Sequence, residues 1–421
     1  MEFEEFILEH DGDDLGALAL ARGRYMRNFQ SFDLALTTLE CRRKLRYKVP
    51  QWYAVPALQF PLRLSAEQCS STETAMYKAT IARRVAGRIA DLTGGLGVDS
   101  WAFSQVADKV LYNEMQPSLA AAAEHNFHLL GVNNIVVRNY TVIPGSSIVI
   151  PVSSSVIPVS SSVIPSEASV SPAATVPEIL NGFAPDIIFL DPARRAADGR
   201  KVFRLEDCQP NVLELLEELF SAAPYVLLKL SPMADISLVC KQLGSVKEVH
   251  VVAADGECKE LLLLLEKGYV GEYDIFIYES GSQLLVSGTE VMSRNRLRLA
   301  TDSKTLFEPG KGLLKAGAFD LPCEYGLTKL GKHTHLYVGE TVPEELRPFG
   351  KCFEIVEVLP LNNKTVKELG LRYKQAEVTA RNVPITSDEL RRKLGCRSGG
   401  EVHIFGVHID ANNSNFLIVA K

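Results

Sequence analysis

The residues Asp91-Leu-Thr-Gly-Gly-Leu-Gly-Val-Asp99 join an acidic group to glycines at a spacing that suits a nucleoside ligand. Gly95 and Gly97 lack a Cβ, so a ligand can come close to the backbone there. A helix beginning near Val98 would point its first N–H groups at that ligand. Glu114 follows Gly97 by 17 residues, at the expected end of a second strand, Lys109-Val-Leu-Tyr-Asn-Glu114. A carboxylate in that position can accept hydrogen bonds from two ribose hydroxyls. A second chemical centre is Asp191-Pro-Ala-Arg-Arg195, which ends the apolar run Ala184-Pro-Asp-Ile-Ile-Phe-Leu190. A third run, Tyr225-Val-Leu-Leu-Lys-Leu230, carries Lys229 and leads into Ser231-Pro232.

These residues narrow the ligand. A dinucleotide fingerprint needs a third glycine where Ser100 stands, which weakens a nicotinamide cofactor. The opening Asp91 fits a cofactor that carries an ammonium group, as S-adenosylmethionine does, reached directly or through water. Thr93, Gly95 and Gly97 complete that side of the site. At the second centre Asp191 is placed to take a proton from a nucleophile, with Pro192 stiffening the turn. Arg194 or Arg195 can bind a phosphate or a base edge. Lys229 and Ser231 close the opposite wall. A plainer reading, in which Asp191 only caps the next helix, stays open.

The elements that must hold these groups are alternating strands and helices. Near-continuous apolar strands ending in functional residues suit a parallel sheet covered on both faces, with the ligand beyond the carboxyl ends of the strands. Glu2 to about Gln59 reads as helical, and Ser65 to Ala90 as one helix leading into the first strand. Asn134-Ile-Val-Val-Arg138 reads as the third strand. Glu248–Ala254 and Glu260–Leu265 read as a closing pair of strands around a loop.

Together the segments resemble class I S-adenosylmethionine-dependent methyltransferases, and within them a bacterial family with a C-terminal THUMP-like domain. Its marks stand here as Glu67-Gln-Cys-Ser-Ser71, Asp91-Leu-Thr-Gly-Gly-Leu-Gly97, Asp191-Pro-Ala-Arg-Arg195, Leu205-Glu-Asp-Cys-Gln-Pro-Asn211, Lys229-Leu-Ser-Pro232 and Glu257-Cys-Lys-Glu260, then Lys315-Ala-Gly-Ala-Phe319 and Arg381-Asn-Val-Pro384. The resemblance runs from about Leu62 onward. It implies an α/β fold: a Rossmann-like methyltransferase sheet with a helical N-terminal region and a small C-terminal α/β domain. It implies that Gln68, Ser70 and Ser71 line the methionine side, although helix capping explains them equally well. It also puts Asn139 where an acidic residue usually meets the adenine amino group; an amide oxygen can accept the same bond. Amino-group methyltransferases often carry an aromatic residue shortly after the Asp-Pro. Here Ala193 and Arg194 occupy those places, which leaves the methylated atom open.

The expected organisation is a helical region over 1–64, a cofactor-binding domain over 65–268, a β-rich connecting region over 269–348 and a THUMP-like domain over 349–421. A low-complexity insertion over 146–166 holds Val152-Ser-Ser-Ser-Val-Ile-Pro158 repeated as Val159–Pro165. Two prolines exclude a helix or central strand there, so an exposed neutral loop is expected. In the last module, strands are expected at Lys351–Leu359, Gln375–Thr379, Val402–Val407 and Asn415–Val419, with helices at Val366–Leu371 and Ser387–Leu394.

Composition limits the function classes. With 46% apolar and 23% charged residues the chain reads as an ordinary soluble protein, and no run reaches a membrane-spanning length. Eight scattered cysteines without a Cys-x-x-Cys pair read as reduced thiols in a cytoplasmic protein. His333 and His335 are expected on one face of a strand, with no metal. The net charge of −6 argues against a generally basic nucleic-acid binder, but its distribution argues for one. Residues 21–48 hold eight Lys and Arg against two acids, and residues 361–400 hold nine against four. Two such segments can grip a phosphate backbone, as in tRNA or rRNA; two solvated helix faces are the alternative. The expected function is methyl transfer to a base nitrogen in RNA. A non-catalytic RNA-binding or assembly factor on the same fold is the rival. A carbon-methylating variant through Cys208 or Cys258 is disfavoured by the acids beside both thiols.

Overall fold

The computed structural model describes residues 2–26, 29–145, 171–194, 204–286 and 303–421. The expected insertion at 146–166 and Arg195 lie outside the described residues. The chain divides into two compact units, Met1–Lys247 with Leu261–Gly271, and Glu248–Glu260 with Glu272–Lys421.

In the first unit the strands that bear on function are β1 (Arg88–Asp91), β2 (Lys109–Asn113), β3 (Ile135–Arg138), β4 (Ile187–Leu190) and β5 (Tyr225–Leu230). Two more, β6 (Val246–Ala254) and β7 (Glu257–Glu266), flank an Asp255-Gly256 turn in which both residues have positive φ. That backbone matches the right-handed twist of the strands it joins, which is why Asp-Gly stands there. Within the unit the order is β7-β5-β4-β1-β2-β3. All neighbours are parallel except β7, whose residues Leu261–Glu266 run antiparallel to β5. Every residue of β4 is buried, as expected for a strand covered on both faces. The covering helices show the matching stripe. In Val212–Ala222, Val212, Leu215 and Leu219 are buried, and Asn211 caps the start by accepting from the Leu213 N–H. The chain leaves β1 toward β2 on one side and returns as β4 on the other. This reversal opens a crevice beyond the carboxyl ends of β1 and β4.

The N-terminal helices include Phe3–His10, Leu15–Leu20 and Phe32–Lys48. An aromatic cluster of Phe6, Tyr25, Phe29 and Phe32 holds them together. The single helix expected from Ser65 to Ala90 is two helices, Arg63–Gln68 and Thr72–Arg83. The chain turns extended at Cys69, and the Ser71 hydroxyl accepts from the Thr74 N–H to start the second helix. Ser71 is therefore a cap.

The second unit contains a pairing of β6 residues Glu248–Ala253 with Asp274–Glu279, which continues into a hairpin with Ser282–Val286. It also contains a seven-stranded sheet. Its central strand pair is Thr305–Pro309 antiparallel to the long strand Gly350–Pro360, which pairs in turn with Ser414–Ala420. The expected strands and helices of the last module are present as Gly350–Pro360, Glu377–Arg381, His403–Ile409 and Ser414–Ala420, with helices Asn363–Arg372 and Ser387–Leu394. The module expected to be separate shares this sheet with Thr305–Pro309 and Tyr337–Gly339. His333 and His335 do not share a strand face: His333 lies in a turn, and His335 has φ +49° just before the strand Tyr337–Gly339.

Candidate cofactor and catalytic site

The glycine turn is braced from below by an aromatic ring. The Tyr112 hydroxyl donates to the Gly95 carbonyl at 2.6 Å, and its fully buried ring lies under Gly94. A Cβ at Gly94 would fall 2.1 Å from that ring. Gly95 has φ +54°, and only the Thr93 carbonyl, 4.0 Å away, lies near where its Cβ would point, so this face admits close approach. Gly97, with φ +93°, ends the turn and begins the helix Val98–Ser104.

The expected cofactor residues surround this turn but differ in their roles. Glu114 follows β2 directly, and its carboxylate accepts the Gly95 N–H at 2.9 Å and the Gln116 N–H at 2.8 Å. Burial pushes its pKa up, against the pull of those backbone bonds. Asn139 donates its amide to the Glu114 carbonyl at 2.6 Å, which leaves Oδ1 to accept. Asp91 is turned inward. Its side chain is fully buried and accepts from the Thr93 N–H at 3.0 Å and the Ser100 hydroxyl at 2.6 Å. Burial, the largest cause, pushes it up to about 8. Asp91 thus holds the turn from behind, at the place expected to receive an ammonium group directly or through water. The reason is local, since Ser100 sits one helical turn into the following helix and faces back to the strand.

Ser70 and Gln68 part company. The Ser70 hydroxyl donates to Asp99 at 2.9 Å, and Asp99 also pairs with the buried Lys78 ammonium at 3.3 Å. Gln68 is exposed at the end of its helix.

Of the expected catalytic residues, Asp191 and Lys229 meet at the mouth of β4 and β5. The Asp191 N–H donates to the Thr93 hydroxyl at 2.6 Å, which ties the ends of β1 and β4 together. The Lys229 ammonium lies 2.5 Å from Asp191 Oδ2. The Lys229 side chain is 13% exposed and that of Asp191 38%, so the carboxylate is reachable while the ammonium is held. Pro192 is buried. Ser231 accepts from the Met233 N–H at 3.2 Å, a local turn bond. Ala193 and Arg194 pair antiparallel with Cys208 and Gln209. Cys208 is buried and its thiol donates to the Arg204 carbonyl. In the second unit, burial pushes the Cys258 thiol up to about 11 against the pull of Lys315, with Glu260 and Glu279 adding smaller upward contributions.

Three residues at or near the site escaped the sequence reading. Asn113 is fully buried. Its amide donates to the Leu92 and Tyr140 carbonyls and accepts the Tyr140 N–H, so it fastens β1, β2 and the end of β3. Lys48 ends the helix Phe32–Lys48 and donates to the Glu67 and Cys69 carbonyls, each at 2.6 Å. It thereby fixes the break that carries Ser70. Lys78 is the third. Only the Lys78 position had a usable signal, a lysine on the otherwise apolar face of Thr72–Arg83.

An open Gly95, a carboxylate at the end of β2 and an amide acceptor beyond β3 fit the nucleoside half of S-adenosylmethionine. Among the described residues no group of three or more His, Cys, Asp or Glu is placed to hold a metal ion, and no helix is long and apolar enough to cross a membrane.

Comparison with known proteins agrees with this fold. Residues 350–421 match the model of a THUMP domain-like family, and residues 306–346 that of a ferredoxin-like domain. An uncharacterized S-adenosylmethionine-dependent methyltransferase of Mycobacterium tuberculosis is 26% identical over 355 residues, covering 82% of this chain and 84% of its own. The crystal structure of a putative methyltransferase from Porphyromonas gingivalis W83 superposes with a TM-score of 0.77 at 28% identity, covering 100% of this chain and 97% of its own. By its sheet, its motifs and these relatives, the chain is similar to S-adenosylmethionine-dependent methyltransferases, and its residues 350–421 match a THUMP-like domain.

Proposed function

We propose that the chain methylates a base nitrogen in tRNA or rRNA. The observation that carries this reading is Asp191, whose backbone N–H is tied to Thr93 of the glycine turn and whose reachable carboxylate is held by Lys229. When bound, S-adenosylmethionine supplies a methyl group already activated on a sulfonium. The protein then has to position rather than activate, and alignment of this kind is worth about 7–11 kcal/mol in favourable cases. Gly95 admits the cofactor, Glu114 accepts from its ribose hydroxyls, and Asn139 Oδ1 accepts from its adenine. Asp191 accepts the proton of the base nitrogen. Two features support an RNA substrate: the THUMP-like domain, a module associated with RNA binding, and the basic segments at 21–48 and 361–400.

The test compares methylated nucleosides of tRNA and rRNA by mass spectrometry in cells with and without the protein. One methylated nucleoside should vanish, return with the wild type and stay absent with Asp191→Ala. An unchanged profile, with S-adenosylhomocysteine binding intact, would favour a non-catalytic RNA-binding role on the same fold.

A further inference from the structure

The helix Phe32–Lys48 ends in Arg42-Arg43-Lys44-Leu45-Arg46-Tyr47-Lys48. The helical repeat turns Cys41, Arg42 and Leu45 inward, and all three are buried. Arg43, Lys44, Arg46 and Tyr47 are left on the outer side and are exposed. Of the cations here only Lys44 is paired with a carboxylate on this side, Glu67 at 2.6 Å. Arg43 donates to the Asp13 carbonyl, and Lys48 to the Glu67 and Cys69 carbonyls. Arg46 lies over the rings of Tyr47 and Tyr53, 5.8 Å from each centroid. The Asp11 carboxylate is taken by the buried Arg42 at 3.1 Å and the Tyr53 hydroxyl at 2.5 Å. Among the described residues, Arg43, Arg46 and Lys48 thus carry charge that no carboxylate pairs with.

Tyr47 stands among these charges with 82% of its surface exposed, and among the described residues no other aromatic side chain is exposed. A ring held in water adds nothing to the core; it offers a flat face to another ring. The position adjoins the cofactor turn. Lys48 holds the Cys69 carbonyl, and Ser70, next in the chain, holds Asp99 in the first turn after Gly97. Just past Lys48, the Trp52 ring lies 3.7 Å from where a Cβ at Gly97 would fall. On the reading of the chain as an RNA methyltransferase, we propose that this helix face binds an unpaired stretch of the substrate RNA. Phosphates lie against Arg43 and Arg46, whose forked donors match them, and a base stacks on Tyr47. In a duplex both faces of each base are covered by its neighbours, so a projecting ring has nothing to meet; an unpaired strand leaves the face open.

The experiment measures binding of the full chain, saturated with S-adenosylhomocysteine, to a single-stranded oligoribonucleotide of about 12 nucleotides and to the same strand annealed to its complement. Tyr47→Ala should bind the single strand about 5- to 150-fold more weakly, the effect of one lost stacking contact, and the duplex as wild type does. Tyr47→Phe should keep the single-strand affinity. Replacing Arg43 and Arg46 together by Gln should make the dependence of log Kd on log salt concentration shallower by about 0.7 for each arginine. Calorimetric affinity for S-adenosylhomocysteine should match wild type throughout, which separates a lost surface from a lost fold. Single-strand binding that ignores these substitutions, or a Tyr47→Ala loss equal on both RNAs, overturns the assignment of this face alone. Absence of RNA binding by the wild type overturns both this assignment and the RNA reading it rests on.

Discussion

At the scale of single residues, the site is governed by what burial does to carboxylates. Asp91 is enclosed with Ser100 and the Thr93 N–H, and burial holds its pKa near 8, far above an ordinary aspartate. The folded state thus keeps a proton on Asp91 that the unfolded chain gives up near pH 4. Stability from this group is full below the unfolded value and falls as pH rises toward 8, by at most about 1.4 kcal/mol per pH unit. Asn in place of Asp91 can accept from the Thr93 N–H and donate to Ser100, so it preserves the bonds without the titration. Urea denaturation of Asp91→Asn at about pH 5.5 and pH 8 should show a smaller loss of stability than in wild type. Equal losses in the two proteins would mean that burial of Asp91 does not set this dependence. Asp191 contrasts with it: the same residue type, partly exposed and paired with Lys229, is left available for chemistry.

At the scale of elements, the turn between β1 and the helix Val98–Ser104 works because its support is rigid. Tyr112 is locked by its bond to the Gly95 carbonyl and by edge contact with Phe127, ring centroids 5.5 Å apart. Gly94→Ala would drive a methyl into that ring, since the Cβ position is 2.1 Å from it. Overpacking of this kind costs about 1–3 kcal/mol, and it should displace Gly95, the proposed point of cofactor approach. Thermal denaturation together with calorimetric titration of S-adenosylhomocysteine should show both a lower melting temperature and weaker binding. Unaltered binding would mean that Gly94 does not set the turn's geometry. The helix break at Cys69 is a comparable device. It needs Ser71 as a cap and Lys48 from a distant helix to hold the two freed carbonyls.

At the scale of the whole molecule, the second unit cannot be cut where its sequence character changes. Thr305–Pro309 takes its hydrogen bonds from Gly350–Glu354, and Leu306, Leu330, Leu336 and Val338 pack on Phe405, Val407, Ile409, Ile418 and Ala420. Removal of residues 350–421 would bare this cluster and leave a strand edge unpaired. The truncated chain should be aggregated or partly unfolded, as judged by solubility and circular dichroism. A soluble truncated chain that loses only the strand content of the removed residues would mean that residues 303–349 fold without the last module.

The residues Asp91-Leu-Thr-Gly-Gly-Leu-Gly97, Glu114, Asp191-Pro and Lys229 were legible because their chemistry is local. Glycine permits a backbone path, an acidic residue ends a strand, and apolar runs have the length and burial of parallel strands. The strands and helices of the last module were legible through periodicity, whereas the Thr386–Glu389 cap of Ser387–Leu394 is seen only in the structure. Long-range matters were not. That Thr93 spans to Asp191 and that Lys48 reaches Cys69 depend on residues brought together by the fold. Likewise the pairing of Thr305–Pro309 with Gly350–Pro360 follows from sheet register, which no local pattern encodes. Sequence alone determined which groups can do chemistry. Only the tertiary structure decided which of them are buried as supports and which are left open to react, because burial and hydrogen-bond partners are properties of the packed chain.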